Sequence, residues 1–427
     1  MAHHQLFEWE ARGFEGDRAI PAAEAEMLAR AAAAPARRLK GAQRAFELGR
    51  DSLTAQNLVG IVAVGGTSCE ILPKIDRHAA GDAASLRRQL IRMLAVAYDL
   101  PIADDAATTT ESQNHTLLEV LITRFAALLH EAVRRGIPRF YVARDDDLPA
   151  LRGRLDVARQ FTALAAGPQL LACRYDEFSE DIALNQAMKA AVVRLRALAR
   201  SPANQRALAD LSLVYTDVAA VPPASLRWDG IVADRTNSRW QGLLRLARLI
   251  LGDRFQNSTH GTAEGFSLLF DMNALFERYV ERLIAPIASR HASRVVAQGG
   301  GRSCLHPEDG GAPLFATYPD MQIMRGQQVV AVVDTKWKRL VDPTADRKMG
   351  VAQADLYQMM AYAQLYDCRS LILLYPHHAG LVGAMPRNHR VVRGDGDVRL
   401  TVATVDLADH AAASAGLASL FGLPDAA

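Results

Sequence analysis

Two aspartates and a lysine stand close together in one segment of the chain. Tyr318-Pro-Asp320 is followed by the apolar run 329–333 and then by Asp334-Thr-Lys336. Alternate side chains of a strand point to the same side, so Asp334 and Lys336 share a face where the strand ends. The pattern predicts a hairpin whose first strand brings Asp320 to that face.

Two carboxylates and an ammonium in this arrangement suit the hydrolysis of a phosphodiester. Carboxylate oxygens bind Mg²⁺, which neutralises phosphate oxygens and lowers the pKa of a bound water. A lysine beside that water would orient it and stabilise the developing negative charge. The alternative is a solvated, ion-paired strand end, which is the usual meaning of an isolated Asp-X-Lys.

Two predicted helices add polar groups that favour the catalytic interpretation. The first carries Glu277 beside an apolar face, and Glu281, one turn later, is the alternative acid. The second carries Gln358 and Tyr362, which are four positions apart and therefore adjacent on one side. Taken alone, the second pair is equally well interpreted as a hydrogen-bonded pair on a helix surface.

Cations beside the lysine form a candidate phosphate-binding patch. Lys338 and Arg339 follow it after Trp337, and we predict that they contact the DNA backbone. Such contacts give affinity without reading the base sequence. Arg347 and Lys348 are equally well explained as part of a solvated loop.

These side chains require a sheet that is covered by helices. Apolar residues at helical spacing from Met272 to Ile287 predict a helix, with Asp271 as its N-cap. A second helix is predicted from Asp355 to Tyr366. The predicted strands of this region are Phe315–Met324, Gln328–Lys336, Leu371–Tyr375 and Val398–Val405. The region is therefore predicted to be α/β.

The preceding chain predicts a hairpin followed by helices. Leu58–Val64 and Thr67–Ile75 flank Gly65-Gly66, which is typical of a β-hairpin. Asp145–Asp147 is linker-like, and the polar stretch Asn257–Gly265 marks the main boundary. The predicted organisation is α/β (α+β overall), with a β-rich N-terminal domain 1–105, a mainly helical middle region 106–258 and a C-terminal domain 259–427 whose mixed sheet is flanked by helices.

Composition excludes several classes of protein. The chain has 427 residues, half of them apolar, and 49 Lys and Arg against 47 Asp and Glu leave a formal charge of +2. These values exclude a disordered chain, a coiled-coil rod and a polycation, although a local basic site remains compatible with them. No lysine follows a glycine, so the chain has no P-loop for a nucleotide.

The placement of cysteines and histidines argues against a zinc-ribbon site. The four cysteines include no Cys-X-X-Cys pair. His377 and His378 point apart in extended chain, so we predict a structural or surface role for them. The first residues lack the pattern of a signal peptide, and no uncharged stretch suits a bilayer span. We therefore expect a reduced, soluble, cytoplasmic protein without a membrane partner.

The order of these motifs resembles the PD-(D/E)XK nuclease superfamily, and a QxxxY helix is typical of its RecB-like branch. The matching residues are Glu277, Pro319-Asp320, Asp334-Thr-Lys336 and Gln358–Tyr362. More narrowly, the chain resembles the McrC family, the nuclease subunit of McrBC modification-dependent restriction systems. The segments that carry this likeness are 270–277, 333–338 and 355–362, with 70–75, 175–179, Asp181 and Asn185 upstream. The resemblance covers most of the chain.

The resemblance implies a Mg²⁺-dependent DNA endonuclease domain at 259–427, in which Mn²⁺ can replace Mg²⁺. Asp320, Asp334 and, as a further acid, Glu277 are the implied metal ligands. Lys336 is the implied catalytic lysine. Gln358 and Tyr362 become supporting residues near the DNA backbone or the lysine. The second acid is Asp rather than Glu, which the superfamily pattern allows.

The resemblance also implies a partner. In McrBC systems a separate AAA+ GTPase hexamer, McrB, binds the GTP and reads modified cytosine in double-stranded DNA, while McrC stimulates GTP hydrolysis and cuts both strands. The region 1–105, together with the helical middle region 106–258, would then dock on the partner, and a residue supplied in trans would act on its nucleotide site. The missing P-loop agrees with this division of labour.

Two other functions are compatible with the motifs. One is a RecB-like exonuclease that works in DNA repair with a helicase. The other is a non-catalytic adaptor that keeps a nuclease fold and only activates an NTPase. The retained Asp334-Thr-Lys336 argues against the adaptor, because an adaptor has no need for this charged cluster.

Overall fold

The computed structural model describes residues 2–37, 39, 44–75, 83–102, 116–164, 169–231, 238–252, 258–259, 264–383, 385–391 and 397–421. The α-helices in these ranges are α1 (Ala22–Arg37), α2 (Ala83–Ala97), α3 (Leu117–Arg134), α4 (Val157–Phe161), α5 (Ala183–Leu198), α6 (Pro202–Val214), α7 (Gln241–Leu251), α8 (Met272–Arg290), α9 (Gln353–Leu365) and α10 (His410–Leu420). None of these helices combines the length and the apolar character that a membrane crossing requires.

The strands, in chain order, are β1 (His3–Phe7), β2 (Ala11–Gly13), β3 (Phe46–Leu48), β4 (Ser52–Ala55), β5 (Leu58–Val64), β6 (Thr67–Leu72), β7 (Phe140–Leu148), β8 (Arg154–Leu155), β9 (Leu171–Ser179), β10 (Ser258–Thr259), β11 (Glu264–Asp271), β12 (Arg294–Ala297), β13 (Arg302–Leu305), β14 (Leu314–Thr317), β15 (Met321–Arg325), β16 (Gln328–Thr335), β17 (Ser370–Pro376), β18 (Arg387–Val391) and β19 (Val398–Val405). With the helices they form an α/β protein, so the predicted fold class is confirmed.

The chain folds into two compact units. One comprises residues 1–117 and 256–427, and the other residues 118–255. Strand β11 joins the two segments of the first unit by pairing with β5 in antiparallel register. Gly60 of β5 permits the close approach, because its φ is 131° and a Cβ there would lie 1.9 Å from the carbonyl oxygen of Leu268.

A six-stranded mixed sheet forms the C-terminal part of the first unit. Its order is β12-β15-β16-β17-β19-β18, in which β16, β17 and β19 are parallel and the others are antiparallel to their neighbours. Helix α9 packs on one face of β16, against Val332, and α8 lies on the other, near Ala331. The apolar run of β16 is buried on both faces, as its composition predicts.

The N-terminal part of the same unit contains a second mixed sheet. Its order is β1-β6-β5-β11-β10, and β1 pairs with β6 in parallel. Helix α1 packs on this sheet, where Leu28 shares a core with Leu6, Val62 and Leu269. The predicted hairpin is confirmed as β5 and β6. The N-terminal part of this unit also contains a three-stranded antiparallel sheet, β2-β4-β3.

The second unit is mainly helical but contains a three-stranded antiparallel sheet, β7-β9-β8. Asp145–Asp147, which was predicted to be linker-like, lies inside β7, so that prediction is wrong. Two cross-strand contacts stabilise the acidic strand. Arg174 Nε donates to Asp145 Oδ1 at 2.9 Å, and the Tyr175 hydroxyl donates to Asp146 Oδ2 at 2.8 Å.

The predicted strand Phe315–Met324 is divided in the structure. Its first part belongs to β14, which pairs with β13, and its second part begins β15 at Met321. Pro319 stands in the break and has no N–H to donate to a ladder. Asp320 therefore lies immediately before β15 rather than within a strand.

The predicted domain boundaries fall partly outside the described residues. The boundary between 105 and 106 lies in the range 103–115, for which the structure describes nothing. Beyond the boundary at 258, β11 pairs with β5 and so belongs to the N-terminal sheet. As separately folding domains, the three predicted regions stay a prediction.

Candidate active site

Asp320 and Asp334 lie beside each other at one end of the six-stranded sheet. The pairing of Met321 with Val333 places the residue before β15 next to the residue after Val333. The backbone N and the side-chain Oγ1 of Thr335 each donate to Oδ2 of Asp320 at 2.7 Å. This is the C-terminal end of the parallel strand β16, where open α/β sheets commonly bind ligands.

The Asp334 carboxylate is buried and pairs with Lys336. The residue is 1% exposed. Lys336 Nζ lies 2.7 Å from Oδ2 as an ion pair and supplies a hydrogen bond to this carboxylate. Burial and the negative charge of Asp320 raise the pKa of Asp334 to about 6. A buried carboxylate of this kind is costly unless a cation joins it.

Lys336 is fixed between strand and helix. Its Nζ donates to Gln358 Oε1 at 3.1 Å and also lies 3.6 Å from Asp355 Oδ1. Burial acts to lower the pKa of Lys336, but the carboxylates of Asp334, Asp355 and Asp320 together hold that pKa above its ordinary value. The side chain is therefore a positioned ammonium beside the aspartate pair.

Gln358 and Tyr362 hold the lysine from helix α9. Gln358 accepts the lysine hydrogen bond through Oε1 and donates from Nε2 to the Tyr362 hydroxyl at 2.7 Å. The Tyr362 hydroxyl donates in turn to the carbonyl oxygen of Tyr318 at 3.3 Å. Burial, with the charge of Asp334, raises the pKa of Tyr362, so its hydroxyl stays a donor. The pair is thus connected to the aspartate and lysine cluster.

Asp355 is a further member of this cluster, and the sequence patterns predicted no role for it. It lies one turn before Gln358 on α9 and is 9% exposed. Its Oδ2 accepts a hydrogen bond from Lys338 Nζ at 3.1 Å, while its Oδ1 faces Lys336 Nζ. One carboxylate therefore orients two lysines. The sequence could have indicated this role, because Asp355 stands three positions before Gln358 and the two side chains therefore lie on one side of the helix.

Glu277 of α8 is electrostatically linked to the aspartate pair. Burial, the charges of Asp320 and Asp334, and the charge of Glu281 raise the pKa of Glu277 to about 7. Gln298 bridges the two acids: its Nε2 donates to Glu277 Oε1 at 3.0 Å and its backbone N to the Asp320 carbonyl at 2.8 Å. Gln298 belongs to no motif, so the sequence offered no signal for it.

The start of α8 is anchored by the N-cap that the sequence predicts. Asp271 Oδ1 accepts from the backbone N of Ala274 at 2.9 Å, and Oδ2 accepts from Asn57 Nδ2 at 2.8 Å. Asn57 directly precedes β5 of the N-terminal sheet. The sheet and the cap therefore fix the first turns of the helix that carries Glu277.

The residues of this site fit a divalent cation that takes few protein ligands. Asp334 and Asp320 place two carboxylates side by side, and the hydrogen bonds from Thr335 use only Oδ2 of Asp320. Within the described ranges, no three or more His, Cys, Asp or Glu side chains form a ready metal cage. Mg²⁺ is commonly held by one or two carboxylates, with waters and substrate phosphates as further ligands. The donor set suits that cation.

The two predicted DNA-backbone cations have different surroundings. Lys338 is paired with Asp355, and 53% of its side chain is exposed. Arg339 Nη2 lies 3.3 Å from His378 Nδ1. His378 is buried, and its Nε2 lies 2.9 Å from the carbonyl oxygen of Leu340. Both cations lie in the segment that follows Lys336, and Lys338 contacts the aspartate and lysine cluster through Asp355.

The fold and the site define a class: an α/β protein with a carboxylate and lysine cluster at the C-terminal end of a sheet strand. The profile of a family described as McrBC 5-methylcytosine restriction system component matches residues 53–376. This range covers most of the chain and every residue of the cluster. The chain belongs to this family.

Solved structures with a similar fold come from McrBC assemblies of Thermococcus gammatolerans. One, of McrB AAA+ hexamers with bound McrC, has a TM-score of 0.72 and 20% identity over 99% of each chain. Another, of the McrBC complex, has a TM-score of 0.50 and 24% identity over 67% of this chain and 88% of that one. No curated protein sequence matches. At these identities the structural likeness shows a shared fold.

Proposed function

We propose that this chain is the Mg²⁺-dependent DNA endonuclease subunit of an McrBC-type restriction complex, with a PD-(D/E)XK nuclease domain. The observation that carries the proposal is the buried carboxylate of Asp334, which lies beside Asp320 and pairs with Lys336. Two adjacent carboxylates at a buried strand end destabilise a fold that does not use them. A cation-binding catalytic role accounts for their presence, whereas an adaptor role does not.

In this proposal, Asp320 and Asp334 would hold the Mg²⁺, with Glu277 as a further acid beside them. The bound ion supplies a water of lowered pKa and neutralises the phosphate oxygens. Lys336 places its ammonium beside the two aspartates, where it orients the attacking water and stabilises negative charge on the phosphate. The hydrogen bond from Lys336 to Gln358 limits the ammonium to that position.

Asp355 acts in this proposal as a positioning residue. It draws Lys338 toward the cluster and balances part of the charge of Lys336. Lys338 is then held beside the cleft, where it can contact a phosphate next to the one that is cut. A phosphate contact of this kind increases affinity without selecting a sequence.

The proposed partner is an AAA+ GTPase hexamer of the McrB type, and the proposed substrate is double-stranded DNA that contains modified cytosine. Membership of the restriction-component family and the fold shared with chains of McrBC assemblies support both. This chain lacks a P-loop, so the partner binds the GTP.

Exposed aromatic side chains in the second unit suit a docking role. Phe140, Tyr141 and Phe178 of β7 and β9 are 42%, 73% and 56% exposed, and the rings of Tyr141 and Phe178 lie 5.2 Å apart. Exposed apolar surface of this kind is typical of protein interfaces. These side chains lie in the middle region, for which docking was predicted together with the region 1–105, and we propose β7 and β9 as a docking surface.

The test is DNA cleavage by the chain reconstituted with its AAA+ GTPase. Closed circular and linear plasmids, each methylated or unmethylated at cytosine, are incubated with GTP and Mg²⁺, and EDTA replaces Mg²⁺ in a control. We expect cleavage of methylated circles only with the partner, GTP and Mg²⁺. Intact circles with degraded linear DNA would identify an end-dependent exonuclease instead. GTPase stimulation without any cleavage would identify an adaptor.

A further inference from the structure

A polar cavity of about 560 Å³ lies beside the aspartate and lysine cluster, within the first unit. The residues that line it are Trp9, Arg44, Glu47, Gln56, Asn57, Lys74, Asn273, Trp337 and Lys338. Its volume lies in the usual range for small-ligand sites. Six of these residues lie in an N-terminal strand or in the loops beside those strands, and Trp337 and Lys338 directly follow Lys336. The cavity is therefore a second site, next to the first.

Trp9 presents an aromatic ring to this cavity in a strained backbone conformation. Its φ is +64°, in the left-handed region that bulky residues rarely adopt, and the residue is 52% exposed. Two backbone hydrogen bonds hold the turn that contains Trp9. The backbone N of Trp9 donates to the carbonyl of Ala55 at 3.0 Å, and that of Glu10 donates to the carbonyl of Phe7 at 3.0 Å. Strain maintained around an exposed ring is typical of functional sites.

The groups around Trp9 combine positive charge with amides. Lys74 Nζ lies over the Trp9 ring, 5.7 Å from its centroid. Arg44, Lys74 and Lys338 supply three cations against the single carboxylate of Glu47, which accepts from Gln56 Nε2 at 3.2 Å. The side-chain amides that line the cavity offer both donors and acceptors. A flat apolar ring, cations and amides are the groups that bind a base and its phosphates.

The wall of the cavity is continuous with the candidate active site. Trp337 is buried, and its Nε1 donates to Glu8 Oε2 at 2.9 Å. The same carboxylate oxygen accepts from the backbone N of Lys74 at 3.0 Å. Glu8 therefore holds one cationic residue of the cavity against the segment that carries Lys336. On the other side, Lys338 reaches Asp355 of the cluster.

We infer that this cavity binds one nucleotide of the DNA strand that runs through the active site, with its base unstacked from the duplex and placed against Trp9. Lys74, Arg44 and Lys338 contact the flanking phosphates, and the amides contact the base edge. A base must leave its stack to reach such a ring, and unpaired nucleotides do so at the lowest cost. The inference rests on the proposed function, because it assigns a binding site to the same substrate.

The first test measures the affinity of the full chain for fluorescein-labelled single-stranded DNA by anisotropy, with Ca²⁺ in place of Mg²⁺. Trp9→Leu and Lys74→Gln are compared with the wild type. Phe161→Leu and Arg294→Gln are matched controls at exposed sites outside the cavity. We expect each cavity variant to bind about tenfold more weakly and each control to bind as the wild type does. Unchanged affinity in both cavity variants would overturn the inference.

The second test reports on the base itself. An oligonucleotide with 2-aminopurine at one unpaired position of a duplex is added to the chain, and its fluorescence is followed. Stacking on Trp9 should quench the signal, and Trp9→Leu should abolish the quenching while Phe161→Leu leaves it. Equal quenching by wild type and Trp9→Leu would contradict the inference. So would displacement of the DNA by GMP at the concentration at which DNA itself binds, since the ligand would then be a free nucleotide.

Cleavage assays separate this inference from the proposed function. If the wild-type complex cuts methylated DNA and the cavity variants bind and cut as it does, the inference fails while the proposed function stands. If the complex never cuts DNA but the cavity variants lose affinity, the proposed function fails while the nucleotide site stands. Lys74→Arg keeps the charge and should restore binding, which a merely structural role of the lysine would not predict.

Discussion

Lys336 Nζ donates a hydrogen bond of 3.1 Å to Gln358 Oε1 and so joins the end of β16 to helix α9. The same amide donates to the Tyr362 hydroxyl at 2.7 Å. The lysine position is therefore set by two elements that are separate in sequence. Because the ammonium is charged, the contact is one of the stronger types of hydrogen bond.

Gln358→Ala should lower DNA cleavage by about tenfold, since outer contacts of a metal site typically contribute this much. The loss should fall on kcat rather than KM, because the amide orients the lysine and does not hold the substrate. Tyr362→Phe should have a smaller effect in the same direction. Gln364→Ala changes an exposed glutamine on the same helix and should leave the rate unchanged. A wild-type kcat for Gln358→Ala would show that the contact is incidental.

Asp355→Ala should weaken cleavage and DNA binding together, because it releases both Lys336 and Lys338. Asp355→Asn keeps an acceptor for Lys338 and should lose less of both. The measurements are kcat and the salt dependence of DNA affinity, with Asp210→Ala, an exposed change on α6, as the control. Full activity in Asp355→Ala would remove this residue from the site.

Mg²⁺ affinity should rise with pH between about 6 and about 8. The raised pKa values of Asp334, about 6, and Glu277, about 7, mean that protons compete with the metal until both acids ionise. Glu277→Gln should weaken binding and remove the upper part of the rise. Titration of the metal at several pH values by calorimetry gives the result. A pH-independent affinity would contradict the shared carboxylate site.

When no metal is bound, the contribution of Asp334 to the free energy of unfolding should fall as pH rises. The folded pKa of Asp334 lies above its ordinary value of 3.8, so the folded chain binds more protons than the unfolded chain between that value and about 6. The contribution of Asp334 to stability is thus present at low pH and is lost as pH rises through this window. Mg²⁺ should raise the Tm more at about pH 8 than at about pH 5. Equal shifts at both pH values would be inconsistent with this balance.

Asp271→Ala should lower the free energy of unfolding by about 1–2 kcal/mol, because α8 loses its N-cap and Asn57 loses its acceptor. Asp271→Asn keeps an oxygen for the cap and should cost less. Urea unfolding measures the difference, and Glu308→Ala at an exposed position serves as the control. An unchanged midpoint in Asp271→Ala would show that the cap does not anchor α8.

The parts of the site that follow local periodicity could be predicted from the sequence. Strand alternation placed Asp334 and Lys336 on one face, and helical spacing placed Gln358 beside Tyr362. Contacts made by the main chain, or between elements that are distant in sequence, have no such periodic pattern in the sequence. The bond from the Gln298 backbone to the Asp320 carbonyl depends on a turn, and the salt bridges of Asp355 depend on how α9 packs on the sheet.

The same distinction applies to the fold. The hairpin of β5 and β6 has its turn residues beside it in sequence, whereas the pairing of β5 with β11 joins segments separated by the whole second unit. Local sequence patterns say nothing about a partner strand that distant. The acidic run Asp145–Asp147 shows no strand pattern in the sequence, because its hydrogen-bonding partners Arg174 and Tyr175 lie on β9.

We propose that Asp334 and Lys336 are required for DNA cleavage and that other parts of the chain bind the partner and stimulate its GTPase. The most direct measurement compares DNA cleavage and GTPase stimulation by complexes that contain Asp334→Asn or Lys336→Ala. We predict that cleavage falls by about 10³-fold in each, as for the loss of a group that stabilises transition-state charge, while GTPase stimulation stays at the wild-type level. Cleavage at the wild-type rate in both variants would contradict the account.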